Sequence, residues 1–196
     1  PTRSSAAELV LEIADSLSVE LTPQAADQLF AGVLTDTGCF QYSNTNVHSL
    51  RAAGNLVEAG ATPSRVADRI YHQRALYFYR LLGHLLGTME LHRGDRICVM
   101  NLTVESADAL WPEGEMDTEG IVDFTIQVAD VEVGIFLRET TPDSCRASLR
   151  SRGGVNVQEI AELMGGGGHA GAAGCTLEGT LEETRERLLN EVEKRL

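Results

Sequence analysis

Positive charge is scarce in this chain. Its 196 residues carry 16 Lys and Arg against 29 Asp and Glu, for a formal net charge of -13 and a pI near 4.7. Tracking along duplex DNA requires a broad basic surface that neutralises many phosphates, so duplex DNA is excluded as a partner. A small anionic ligand needs only a local positive pocket and is not excluded. Aromatic residues make up only 5%, too few for a base-stacking platform along a single strand. The four cysteines, Cys39, Cys98, Cys145 and Cys175, lie far apart, with no CxxC pair and no zinc spacing. That pattern points to reduced thiols and a cytoplasmic protein. No apolar run approaches the roughly 20 residues of a membrane helix, so no membrane partner is expected. The opening PTRSSAAELVLEIADSL lacks the apolar core of a signal peptide, and a start at Pro1 reads as the start of a fragment. What is present is ordinary globular material: 43% hydrophobic residues and a mean hydropathy of -0.09, enough for a real core.

The first half reads as helical. Ser4 or Ser5 caps a helix through AAELVLEIADSL, with Leu9, Ile13 and Leu17 spaced for one face. Thr22-Pro23 and Thr62-Pro63 each offer a cap followed by proline at the first helical position. Between them, a turn-prone FQYSNTN precedes VHSLRAAGNLVEAG, which stops at Gly60. RALYFYRLLGHLLGTM forms a further helix.

The period then changes. ELHRGDRICVMNL is expected to be a hairpin around Arg93-Gly94-Asp95, and TEGIVDFTIQVA a helix. VEVGIFLRE and CRASLRS read as two strands joined at Thr141-Pro142-Asp143. NVQEIAELM is a helix that Asn156 can cap, GCTLEG a short strand, and TLEETRERLLNEVEKRL a closing helix capped by Thr180, with Lys194 and Arg195 in its last turn. The switch falls between Gly87 and Gly94, giving expected domains at 1–87 and 92–196.

Two features carry chemistry. MGGGGHAGAAG places Gly165, Gly166, Gly167 and Gly168 directly before His169. One reading is a flexible linker. The other uses what glycine alone does, reaching positive φ so that successive N–H groups form an anion-binding concavity beside a histidine donor. In CRASLRSR, strand alternation sends Arg146, Ser148, Arg150 and Arg152 to one face and Cys145, Ala147 and Leu149 to the other. That arginine row is either a solvated sheet face or a set of guanidinium donors suited to phosphate. His48, His72, His84 and His92 stand isolated and read as structural.

These residues resemble a known family. LRSRGGVNVQEIAELMGGGGHAGAAG is similar to the C-terminal, DHH-associated domain of the DHH phosphoesterases, whose signature is GGGH followed shortly by AAG. LFAGVLTDTGCFQYSNTNVHSLRAAGNLVEAGA resembles their segment in which an Asp in a TDTG context helps bind a metal pair, and VEVGIFLRE the strand before the substrate region. The resemblance implies an α/β protein: the helical C-terminal part of a DHH domain, a linker helix, and a smaller mixed-sheet domain with flanking helices. The branch it most resembles removes nucleotides from very short RNA and cleaves 3′-phosphoadenosine 5′-phosphate (pAp), with two manganese or magnesium ions. Carried over, Asp36 is the catalytic and metal-binding residue. Substrate contacts fall to Arg138, Ser148, Arg150, Ser151, Asn156, Gly165 to Gly168 and His169. A homodimer is among the assemblies this implies. The family's Asp-His-His triplet and Asp-x-Asp have no counterpart here, so this chain alone is expected to be inactive. Two further readings remain: a cyclic dinucleotide phosphodiesterase, or a nucleotide-binding module without catalysis.

Overall fold

The computed structural model describes residues 3–42, 44–111 and 116–196; Ser43, inside the expected FQYSNTN turn, lies outside them. The chain divides into two compact units, Pro1–Arg74 and Ala75–Leu196.

The first unit is helical: α1 (Ala6–Ser16), α2 (Pro23–Asp36), α3 (Val47–Glu58) and α4 (Pro63–Tyr71). Leu11, Ala26, Phe30, Val33, Leu34, Ala52, Ala53, Leu56, Ala61 and Val66 form its core. Ser5 caps α1 through Ala7 N–H, and Thr22 caps α2 with Pro23 in the first turn. At α3, Asn46 and Ser49 make a reciprocal capping box. Two expectations fail here. The buried stripe of α1 is Glu8, Leu11 and Ala14, while Leu9, Ile13 and Leu17 are exposed. Leu9, Val10 and Leu11 are consecutive, so α1 offers apolar residues on more than one stripe and periodicity cannot choose between them. Thr62 makes no side-chain cap. Its N–H instead donates to Asp27 Oδ1 at 2.8 Å, and Arg65 Nε reaches Asp27 Oδ2 at 2.9 Å. The Thr62 amide first, and Arg65 second, hold the Asp27 carboxyl below the usual carboxylate range.

The second unit is built on a six-stranded sheet of order β1-β2-β3-β4-β6-β5. Its strands are β1 (Glu90–His92), β2 (Ile97–Leu102), β3 (Val133–Thr141), β4 (Ser144–Ser151), β5 (Gly167–His169) and β6 (Ala172–Glu178). Among the described residues only β2 and β3 run parallel. The expected hairpin closes through Arg93, Gly94 and Asp95, all at positive φ. On one face Ile97, Val99, Ile135, Leu137, Cys145, Ala147 and Leu149 pack with α7 (Val157–Leu163) and α8 (Leu181–Glu193). Thr180 and Glu183 cap α8 reciprocally. That helix stops at Glu193, so Lys194 is its C-cap and its last turn holds no basic residue.

On the opposite face, α5 (Leu76–Leu86) and a 3₁₀ turn (Val122–Gln127) cover Met100, Leu102 and Phe136; α6 (Val104–Leu110) flanks them. TEGIVDFTIQVA is thus helical over Val122–Gln127, as a 3₁₀ helix. Gly134 makes its approach to the sheet feasible, since a Cβ there would lie 1.7 Å from Thr125 Oγ1. The division between units falls at Arg74/Ala75, earlier than the expected Gly87 to Gly94 interval. The reason is packing: Phe78, Leu81 and Leu85 of α5 are buried with Met100, Leu102 and Ile121.

Candidate phosphate-binding face

Strand pairing shows which side chains share a face. Arg138 opposes Arg146, Phe136 opposes Ser148, and Gly134 opposes Arg150. Continuing across β6, Arg146 opposes Thr176, Ser148 opposes Gly174, and Arg150 opposes Ala172. At the edge strand, Gly167 opposes Gly174 and His169 opposes Ala172. Directly opposed residues point to the same side of a sheet. Arg138, Arg146, Ser148, Arg150 and His169 therefore all rise from one face, with His169 two strands, or about 10 Å, beyond Arg150. The expected alternation is realised within β4, with Cys145, Ala147 and Leu149 buried on the other side, but Arg152 lies one residue beyond the strand and is not part of the row.

A cleft of about 730 Å³ opens on this face where the covering elements end, lined by Met116, Thr118, Glu119, Phe136, Arg138 and Arg146, among others. Ser148 and Arg150 also line it, as do Asp117, Gly120 and Val122. Its cations are unequally occupied. Arg150 Nε donates to Asp123 Oδ1 at 2.7 Å, and its Nη1 donates to the Leu149 carbonyl at 3.2 Å. Arg138 and Arg146 face each other, and neither guanidinium has a hydrogen bond or an acidic partner among the described residues. Burial first, and the Arg146 charge second, pull the Arg138 guanidinium below its ordinary value. Arginine nonetheless keeps its proton. Like charges directly opposed across a sheet repel, so an anion between them relieves a cost the fold carries.

The glycine run is not a linker. Gly165 N–H donates to the Glu162 carbonyl at 3.0 Å and Gly166 N–H to the Ala161 carbonyl at 2.8 Å. With Gly165 at φ 79°, these bonds terminate α7 in a Schellman motif. A Cβ on Gly166 would stand 2.1 Å from the Gly174 carbonyl oxygen, and one on Gly168 2.5 Å from that of Ala172. Three of the four glycines thus answer to the fold. Gly167 does not, because a Cβ there meets nothing within 4 Å. It lies beside Gly174 and in line with Ser148, leaving a strip of bare backbone next to the arginines.

Other candidates fall elsewhere. Ser151 belongs to the opposite alternation of β4, opposing Val133. Asn156 is committed to the α7 cap: its Oδ1 accepts from Gln158 N–H at 3.1 Å and its Nδ2 donates to Glu159 at 2.9 Å. Arg146 stood in the expected arginine row without being singled out for substrate, and only the β3–β4 register reveals its role as a pair with Arg138. Asp36 ends α2 and is exposed, its carbonyl accepting from Asn44 Nδ2 at 3.0 Å.

Residues 101–196 match the DHHA1 domain. The C-terminal half of this chain belongs to the DHHA1 domain family. Relatives extend the likeness to the DHHA1 domain's N-terminal neighbour as well. The chain is 37% identical to the bifunctional oligoribonuclease and PAP phosphatase NrnA of Thermus thermophilus over 197 aligned residues, covering 100% of this chain and 58% of that protein. Against the NrnA of Mycoplasma pneumoniae it is 28% identical, covering 88% and 52%. The crystal structure of an exopolyphosphatase-related protein from Bacteroides fragilis superposes with a TM-score of 0.91 at 28% identity, covering 99% of this chain and 57% of that one. The chain spans a little over half the length of these relatives. DHHA1 partners of this kind imply metals, and the described residues do not supply a site for them: they contain no group of three His, Cys, Asp or Glu able to hold an ion. Among the described residues, no helix is long and apolar enough to cross a membrane.

Proposed function

We propose that this chain provides the substrate-holding face of a phosphoesterase acting on short oligoribonucleotides or pAp. The observation that carries the reading is the opposed pair Arg138 and Arg146, free of acidic partners among the described residues, in a nucleotide-sized cleft. Guanidinium groups bind phosphate oxygens in bidentate fashion, and a partly dehydrated cleft strengthens the contact. In this reading Arg138, Arg146 and Ser148 grip a phosphate. The bare strip at Gly174 and Gly167 lets the ligand lie against backbone, and His169 donates from its far end. Support comes also from the relatives whose names give oligoribonuclease and PAP phosphatase activity. Asp36, in its TDTG setting, is proposed as a single ligand to a manganese or magnesium ion.

The chain's own contribution is then binding. Titration calorimetry with metal chelated should show pAp and a ribodinucleotide bound with at least tenfold preference over adenosine. Equal affinity for adenosine would remove phosphate from the recognition and overturn the reading.

A further inference from the structure

The three cleft arginines are not equivalent, and their inequality bears on which ligands fit. Resting on the reading above, we propose that Asp123 sets the number of phosphates the cleft accepts, by withdrawing Arg150 from the ligand. Arg150 has its Nε on Asp123 at 2.7 Å and one Nη on the Leu149 carbonyl. Arg138 and Arg146, by contrast, have no partner among the described residues. The position of Asp123 is imposed by the fold. It sits in the 3₁₀ turn that Gly134 admits onto the sheet, where buried Thr125 donates to the Val122 carbonyl at 2.6 Å. Asp123 N–H donates to the Gly120 carbonyl at 3.2 Å, which fixes the same turn from its other end.

The neighbouring rim adds to the effect. Asp117 and Glu119 line the same cleft, and Asp117 Oδ1 accepts from Glu119 N–H at 2.9 Å. A first phosphate meets two guanidinium groups that no acid among the described residues compensates. A second one nearby meets an arginine whose charge is already offset, and the Glu119 carboxylate on the rim. Volume does not impose this limit, since about 730 Å³ is ample for a nucleoside diphosphate. Charge does. The Arg150 and Asp123 side chains are 29% and 36% exposed, so the pair is partly screened and Arg150 can be released by a single substitution.

The test compares adenosine 5′-monophosphate and 5′-diphosphate by calorimetry on this chain, metal chelated, at two salt concentrations. Wild type should bind the two within about threefold. Asp123→Asn should bind the diphosphate about tenfold more tightly than wild type, leave the monophosphate within about twofold, and steepen the diphosphate's salt slope by about one. Asp123→Ser removes the charge with a smaller side chain and should behave alike, and thermal melting checks that both variants fold. Arg150→Gln should change either affinity by less than about twofold, while Arg138→Ala weakens both about tenfold. If removing the Asp123 charge weakens both ligands or leaves both unchanged, Asp123 does not limit phosphate number and the inference is overturned. If wild type binds neither nucleotide, or Arg138→Ala has no effect, the proposed function fails first.

Discussion

One face of the six-stranded sheet behaves in opposite ways along its width. On β2 and β3 its residues are Cys98, Met100, Leu102, Gly134 and Phe136, all buried, with Met100, Leu102 and Phe136 packed against α5 and the 3₁₀ turn. On β4, β6 and β5 the same face presents Arg146, Ser148, Arg150, Thr176, Gly174, Gly167 and His169, exposed or half-buried. Arg138 stands on the border. The strands alternate identically in both halves; what differs is whether an element lies above. A sheet face becomes core where an element covers it and stays open to solvent where none of the described residues does, and strand periodicity alone does not separate the two.

The comparison can be broken by substituting on either side of the border. Leu102→Ala, in the covered half, should cost about 2–5 kcal/mol through lost transfer energy and a residual cavity, read by denaturant unfolding. Gly166→Ala forces a Cβ against the Gly174 carbonyl and should cost about 1–3 kcal/mol as overpacking. Its neighbour Gly167→Ala, with no contact to make, should stay within about 0.5 kcal/mol. Equal costs at the two glycines would show that the run is restrained by something other than the β5–β6 approach. Arg146→Ala, in the open half, should leave stability unchanged or raise it by a few tenths of a kcal/mol, because a like-charge pair disappears. A loss of 2 kcal/mol or more would mean that Arg146 is packing and not site.

The smallest effect concerns the helical unit. Asp27 has a folded-state carboxyl below its ordinary value, so its stabilisation is present above the unfolded carboxylate range, about pH 4, and is lost as pH falls through the folded value. Wild type should therefore exceed Asp27→Asn in stability at pH 7, with the gap closing on acidification. A gap that widens in acid would reverse the assigned sign.

Much of this architecture is legible in the residues. The hairpin at Arg93 to Asp95, the β3–β4 turn, the Asn156 cap and the Thr180 box follow from local chemistry that tertiary packing leaves alone. The arginine row and His169 also emerge, because alternation is a local property of extended chain. Pairing is not local. That Arg138 opposes Arg146, and that Asp123 comes from a turn to claim Arg150, depends on register between segments and on a turn admitted by Gly134. The glycines mislead for a related reason: composition shows their conformational freedom, whereas α7 termination and the approach of β5 to β6 use up most of it. The inward stripe of α1 is hidden by three consecutive apolar residues.

The central claim is that Arg138 and Arg146, a pair with no acidic partner among the described residues, hold the ligand's phosphate more than the glycine run does. Its most direct test is calorimetric titration of pAp into wild type, Arg138→Ala, Arg146→Ala and Gly167→Ala, with metal chelated. A charge-assisted hydrogen bond is worth about 1.5–3 kcal/mol, so each arginine variant should bind about ten- to a hundredfold more weakly. Gly167→Ala should lose less than about fivefold, since a methyl group only intrudes on the strip. Undiminished affinity in both arginine variants, with binding abolished by Gly167→Ala, would contradict the account and return the phosphate to the glycine loop.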